Sequence, residues 1–182
     1  MRQVPHSDAI RALCVEDDSL FVELLRRNLR RDDSDRRIEI DVLGSLRAVE
    51  DADSTQTWDV VLLDLQLPDS QGLETLDSLM RLHSSVPIVV LTGSADDTVG
   101  VTALRRGAQD FISKSEATGK LLWRVIDHAI VRKRAENLAD RLAQTAMLAT
   151  YGQIAASVAH RLNNPLTVII GNAAHVRILL SE

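Results

Sequence analysis

The 182 residues include only one cysteine, Cys14, and it lies inside an apolar run with no partner. A disulfide framework is therefore excluded, and a reducing, cytoplasmic setting is expected. A basic excess is missing too: 21 Lys and Arg stand against 26 Asp and Glu, for a formal net charge of -5. That balance argues against a general nucleic-acid binder. No stretch approaches the ~18 uninterrupted apolar residues of a membrane span, so no membrane segment is expected. Residues 1–8 contain no apolar h-region and read as an N-terminal tail without a secretion signal. There is no internal repeat and no low-complexity tract.

What is present is an alternation. Short runs at Ile10 to Val15, Ile38 to Val42, Val60 to Leu63, Pro87 to Leu91 and Asp110 to Ile112 read as strands. Four of them are rich in Val, Ile and Leu, as strands buried on both faces should be. Between them Leu20 to Arg30, Ser45 to Asp53, Leu73 to Leu82 and Asp96 to Arg106 read as helices. In the first, Leu20, Val22, Leu24, Leu25 and Leu29 supply an apolar side, and Arg26, Arg27 and Arg30 a solvated one. Alternation with short connections predicts an α/β fold: a flavodoxin-like, doubly wound, five-stranded parallel sheet over residues 9–130. Ligands of such sheets bind at the carboxyl ends of the strands.

Those ends carry the chemistry. Glu16, Asp17 and Asp18 follow the first strand, and Asp64 follows the third. Gathered carboxylates repel one another unless a hard cation neutralises them, and Mg2+ suits oxygen ligands. The fourth strand ends at Thr92, followed by Gly93 and Ser94, and the fifth leads into Lys114. A carboxylate nucleophile, a cation, a hydroxyl donor and a lysine together suit phosphoryl transfer to a carboxylate.

The segments Val15-Glu16-Asp17-Asp18, Asp64-Leu65-Gln66-Leu67-Pro68-Asp69, Leu91-Thr92-Gly93-Ser94 and Phe111-Ile112-Ser113-Lys114 resemble the receiver (response-regulator) family in order and spacing. The resemblance implies Asp64 as phosphoacceptor, Asp17 as a direct magnesium ligand and Glu16 as a ligand through water. It adds the backbone carbonyl of Gln66 to the metal site and leaves Asp18 outside it. Lys114 is expected to pair with Asp64 or with the bound phosphoryl group. Thr92 would turn inward to the phosphoryl, vacating space for the ring of Phe111, a two-state switch. Gln66 and Ser94 occupy positions that influence acyl-phosphate lifetime in the family. Ser115 stands where many members have proline, which leaves the Lys114 peptide trans, or cis at the cost of a non-proline bond. The implied phosphodonor is a histidine kinase or a phosphotransfer protein.

From Lys120 onward the strand-like runs stop, and strong helix formers dominate. Leu148, Tyr151, Ala155, Val158, Leu162 and Pro165 step by three and four, as a heptad seam does. Leu138, Leu142 and Thr145 keep the same stepping, with a break in phase between Thr145 and Leu148 that suggests local overwinding. A long helix forming a coiled-coil or helix-bundle homodimer is expected, in preference to a terminal helix folded back on its own domain. Residues 131–146 read as a helical linker. Residues 147–171, with His160, Asn164, Pro165 and Leu166, look like the phosphoacceptor helix of histidine-kinase dimerisation domains. By that resemblance 147–182 is the first, incomplete part of such a domain, and His160 is a second possible phosphoacceptor with Asn164 one turn later. Pro165 is expected to bend the helix just past the histidine.

Arg161 stands where the family has an acidic residue, and it has no acceptor capacity. Up to Glu182 there is one helix of a two-helix hairpin and no glycine-rich nucleotide-binding domain. No autonomous kinase activity is therefore expected of these residues. The whole reads as the N-terminal part of a receiver-linked histidine kinase. A receiver using a degenerate His160 helix as a dimerisation scaffold, with Asp64 as a phosphate sink, fits the same sequence.

Overall fold

The computed structural model describes the backbone of residues 9–30, 37–52, 56–93 and 97–179, with side chains described at all of these except 97, 149–150 and 152–179. Strands β1 (Ala9–Val15), β2 (Arg37–Leu43), β3 (Val60–Asp64), β4 (Ile88–Thr92) and β5 (Asp110–Ser113) alternate with helices α1 (Ser19–Arg30), α2 (Leu46–Glu50), α3 (Leu73–Leu82), α4 (Asp97–Arg105) and α5 (Gly119–Leu179). All strand pairings are parallel and the order is β2-β1-β3-β4-β5. This is the doubly wound, flavodoxin-like arrangement expected, with its switch point between β1 and β3.

The pleat sorts the side chains into two cores. Ala12, Cys14, Val60, Leu62, Val89, Leu91 and Ile112 face α1 and the first turns of α5, meeting Phe21, Val22, Leu25, Leu122, Trp123 and Ile126. Leu13, Val15, Val61, Leu63, Ile88 and Val90 face the other way, among Leu76, Leu79 and Ala103. Successive strand residues point to opposite faces, so burial on both faces explains the unbroken apolar runs. Cutting a fully buried residue such as Leu62 back to alanine would cost about 2–5 kcal/mol.

Local signals set the boundaries. Asp18 caps α1, its Oδ1 accepting from the N–H groups of Leu20 (2.9 Å) and Phe21 (3.3 Å). Ser45 caps α2 through Ala48 N–H at 3.1 Å. This helix is shorter than the Ser45 to Asp53 expected, and Asp53 lies outside the described residues. Thr92 belongs to β4 itself, paired in register with Ser113, so that strand ends one residue later than its apolar run. A 3-10 turn over Lys114–Glu116, without a sequence signature, links β5 to α5. Gly72 at φ 67 lets the chain leave the loop after β3, its N–H donating to Leu65 at 2.7 Å.

Two compact units divide at Glu136 and Asn137. In the first, α5 and the turn before it are fastened to α1: Asn28 Nδ2 donates to the Ala117 carbonyl (2.7 Å), and Trp123 Nε1 to that of Leu29 (3.2 Å). Near the end of that unit Gln109 Nε2, itself buried, donates to Glu136 Oε2 at 2.8 Å. The second unit is helical, and its Leu138, Leu142, Leu148 and Tyr151 side chains are exposed. Among the described residues no helix is long and apolar enough to cross a membrane.

Candidate functional site

The carboxyl ends of β1, β3 and β5 bring Glu16, Asp64 and Lys114 together. Asp64 is the last residue of β3, while Glu16 and Lys114 directly follow β1 and β5. By pleat parity all three continue the set that faces α1. Thr92 and Phe111 belong to the opposite set, which faces α4.

Lys114 bridges the two buried carboxylates. Its Nζ donates to Asp64 Oδ2 at 2.8 Å and to Glu16 Oε1 at 2.9 Å. The sequence led us to expect the partnership with Asp64 but not the one with Glu16. Glu16 Oε2 also lies 2.7 Å from the ammonium, yet off any hydrogen-bonding direction. Among the described residues it is the one buried side-chain oxygen without a hydrogen bond. Backbone donors add to these: Asp18 N–H also donates to Glu16 Oε1 (3.2 Å), and Gln66 N–H to Asp64 Oδ1 (3.1 Å).

Burial raises the Glu16 carboxyl above its usual range; the Lys114 hydrogen bond opposes that rise, and the Asp64 charge adds to it. For Lys114, burial alone would favour the neutral amine, but its hydrogen bonds to Asp64 and Glu16 outweigh it and raise the ammonium pKa. One cation thus serves two buried anions, and the pocket keeps an excess of negative charge. Cys14, two residues earlier on β1, is fully buried, and burial followed by the Glu16 charge pushes its thiol up to about 12.

Asp17 is exposed at the mouth. Oxygens of Glu16, Asp17 and Asp64 lie within 4.8 Å of one another. Three hard oxygen donors, with one ammonium among them, fit a divalent cation such as Mg2+. Asp18 is taken up by its cap on α1.

On the other side of the pleat Thr92 is buried at the end of β4. The Phe111 ring is half-buried against Gly100 of α4, where a Cβ would overlap it. The Lys114 peptide is trans, with no cis bond among the described residues. Ser94, and the side chains of His160, Arg161, Asn164 and Pro165, lie outside the described residues. Two residues escaped sequence reasoning. Asp69 crosses to the start of α2, accepting from Arg47 (2.8 Å) and Leu46 (3.0 Å), and these bonds hold its carboxyl below the usual range. Phe21 lies beneath the Lys114 ammonium. Nothing in the sequence names what Asp69 ties down.

Residues 12–126 match the family model described as the response regulator receiver domain. The KDP operon transcriptional regulatory protein KdpE of Escherichia coli is 34% identical over 151 residues, covering 82% of this chain and 63% of its own. The luminescence regulatory protein LuxO of Vibrio campbellii is 33% identical over 105 residues, covering 57% of this chain and 23% of its own. The chain thus spans only part of the length of these curated relatives. Among solved structures, NtrX from Brucella abortus superposes with a TM-score of 0.62 at 26% identity, covering 74% of this chain and 30% of that one. With the fold, the acidic pocket and the matched span in agreement, this chain belongs to the response regulator receiver family, and residues 12–126 are a receiver domain of two-component phosphorelay signalling.

Proposed function

We propose that Asp64 is the phosphoacceptor of a magnesium-dependent switch whose output is the helix beyond residue 130. The observation that supports this reading is the shared ammonium: Lys114 alone spans the two buried carboxylates Glu16 and Asp64. Glu16, Asp17, Asp64 and the backbone carbonyl of Gln66 would hold the cation, Glu16 through water. When bound, Mg2+ supplies positive charge for the phosphoryl oxygens and relieves the carboxylates.

The remaining steps belong to the chain. An Asp64 oxygen attacks the phosphorus of a donor such as a phosphohistidine of a partner kinase. The P–N bond breaks, and its electron pair leaves with the imidazole nitrogen, which takes up a proton. Lys114 keeps its proton and pairs with the incoming phosphoryl oxygens. Thr92 Oγ1 donates to another of them, and the Phe111 ring repacks between Thr92 and α4. Catalysis here is positioning and charge compensation.

The exposed seam of Leu138, Leu142, Leu148 and Tyr151 supports a homodimer of two such helices. We assign 9–130 to the receiver, 131–146 to a helical linker and 147–182 to the first helix of a histidine-kinase-type dimerisation domain, with His160 and Asn164 at its reactive position. KdpE and LuxO are named as regulators of transcription or luminescence; the output proposed for this chain is protein–protein, without nucleic acid. The competing reading, a phosphate sink or scaffold with a degenerate His160 helix, draws on Arg161, which supplies no base.

Beryllofluoride with Mg2+ should change the dimerisation equilibrium in sedimentation, and Asp64→Asn should abolish the change. An unchanged wild-type protein at saturation sinks the switch reading. Incubation with a kinase and labelled ATP separates the two helix readings. Base-stable label lost in His160→Ala supports a working phosphoacceptor, and acid-stable label alone favours the sink.

A further inference from the structure

The ammonium of Lys114 is held by more than its carboxylates. Phe21, in the first turn of α1, lies beneath it, with Nζ 4.9 Å from the ring centroid. The ring is 7% exposed and belongs to the core between the sheet and α1. An aromatic face carries the negative lobe of a quadrupole and attracts a cation within about 6 Å, more strongly where water is excluded. The backbone of the lysine is secured from the same helix. Asn28, two turns after Phe21, donates to the carbonyl of Ala117, three residues beyond Lys114. Helix α1 therefore grips the lysine segment at its charged tip and at its base.

This grip answers a physical difficulty. Lys114 ends a flexible four-carbon stem and must hold Asp64 before phosphorylation, then follow negative charge outward onto the phosphoryl oxygens. Hydrogen bonds to carboxylate oxygens fix it at one place only. A ring face attracts the ammonium without a directional bond, so the ammonium can shift across it without returning to water.

We propose that Phe21 is a positioning residue, whose ring face keeps the Lys114 ammonium at Asp64 and within reach of the incoming phosphoryl group. This rests on Asp64 as phosphoacceptor and Lys114 as its partner.

The test uses the whole chain with phosphoramidate and Mg2+, following the rate of single phosphoryl gain by intact mass. Phe21→Leu, which keeps the apolar packing, should slow phosphorylation by about 3–10-fold. Phe21→Tyr, which keeps the ring face, should stay within about twofold. A fluorinated phenylalanine series at position 21 weakens the face with little change of shape, and the rate should fall stepwise at an unchanged melting temperature. That series decides the matter if Phe21→Leu does not fold. In a Lys114→Ala background, Phe21→Leu should have no further effect. A flat fluorine series overturns the proposal. So does equal slowing by leucine and tyrosine, or an undiminished effect of Phe21→Leu without the lysine. Wild-type rates for Lys114→Ala alone would instead reject the reading of the pocket beneath it.

Discussion

At the carboxyl ends of the strands one ammonium serves two buried carboxylates, whereas Asp41 on β2 and Asp59 just before β3 have an arginine each. Asp59 accepts from the Arg11 backbone (3.0 Å) and Arg134 (3.3 Å), and Asp41 from Trp58 (2.8 Å) and Arg11 (3.4 Å). The Arg11 and Arg134 ion pairs are largely exposed, where such pairs contribute about 0–1 kcal/mol. Both groups set acidic side chains against basic ones. The arginine-paired group is satisfied and wet, so it fastens the fold. The carboxyl end is short of positive charge and partly dry, so it awaits a ligand. Function follows the deficit in compensation, and the mere presence of acidic residues says little.

This contrast can be broken experimentally. The largest effect expected is in chemistry: Asp64→Asn should eliminate phosphoryl gain from phosphoramidate by intact mass, while Asp59→Asn leaves it unchanged. Next comes stability without metal. Lys114→Ala leaves two buried anions uncompensated and should destabilise by about 3 kcal/mol in urea unfolding. Asp64→Asn relieves the repulsion and should stabilise by about 1 kcal/mol. If both substitutions destabilise equally, the charge deficit is not what sets the pocket apart. Third, Mg2+ at about 100 times its Kd should stabilise the wild type by about 2.7 kcal/mol. Chelation should remove that gain, and Glu16→Gln should have little of it to lose. Asp59→Asn should cost no more than about 1 kcal/mol.

The smallest effect concerns His83, whose ring meets Trp58 edge-on at 5.4 Å and whose pKa burial lowers from 6.5. A lowered folded pKa means that the unfolded chain binds the proton first. Its contribution to stability is therefore present above about pH 6.5 and is lost as pH falls through the depressed value. Thermal melts between pH 8 and 5 should fall less steeply in His83→Gln than in the wild type. Equal slopes would exclude His83 as a source of the pH dependence.

Much of this was legible in the sequence because both buried faces of a parallel strand leave the same mark. Val60 to Leu63 had to be strand, and Asp64 had to sit at its end. The α1 face also declared itself through Leu25 and Leu29, although Leu20 and Leu24, counted on the same apolar side, are exposed. What stayed hidden was who answers whom across the fold. Glu16 and Lys114 are 98 positions apart, and a carboxylate that shares an ammonium reads no differently from one that awaits a metal. Phe21 looked like core, and it is core; its second face is defined only by the turn after β5. The 3-10 turn at Lys114–Glu116 is too short to leave a periodic signal.

Cys14 offers a practical consequence. A thiol pushed up to about 12 and fully buried is almost entirely protonated at neutral pH, and only the thiolate reacts with alkylating reagents. Because its strand pairs with both β2 and β3, the sulfur reaches solvent only when the centre of the sheet comes apart. As the only cysteine in the chain, it is a built-in clock: the rate at which a small alkylating reagent marks it reports how often the whole receiver opens, with Asp64 empty or occupied, and no probe need be added.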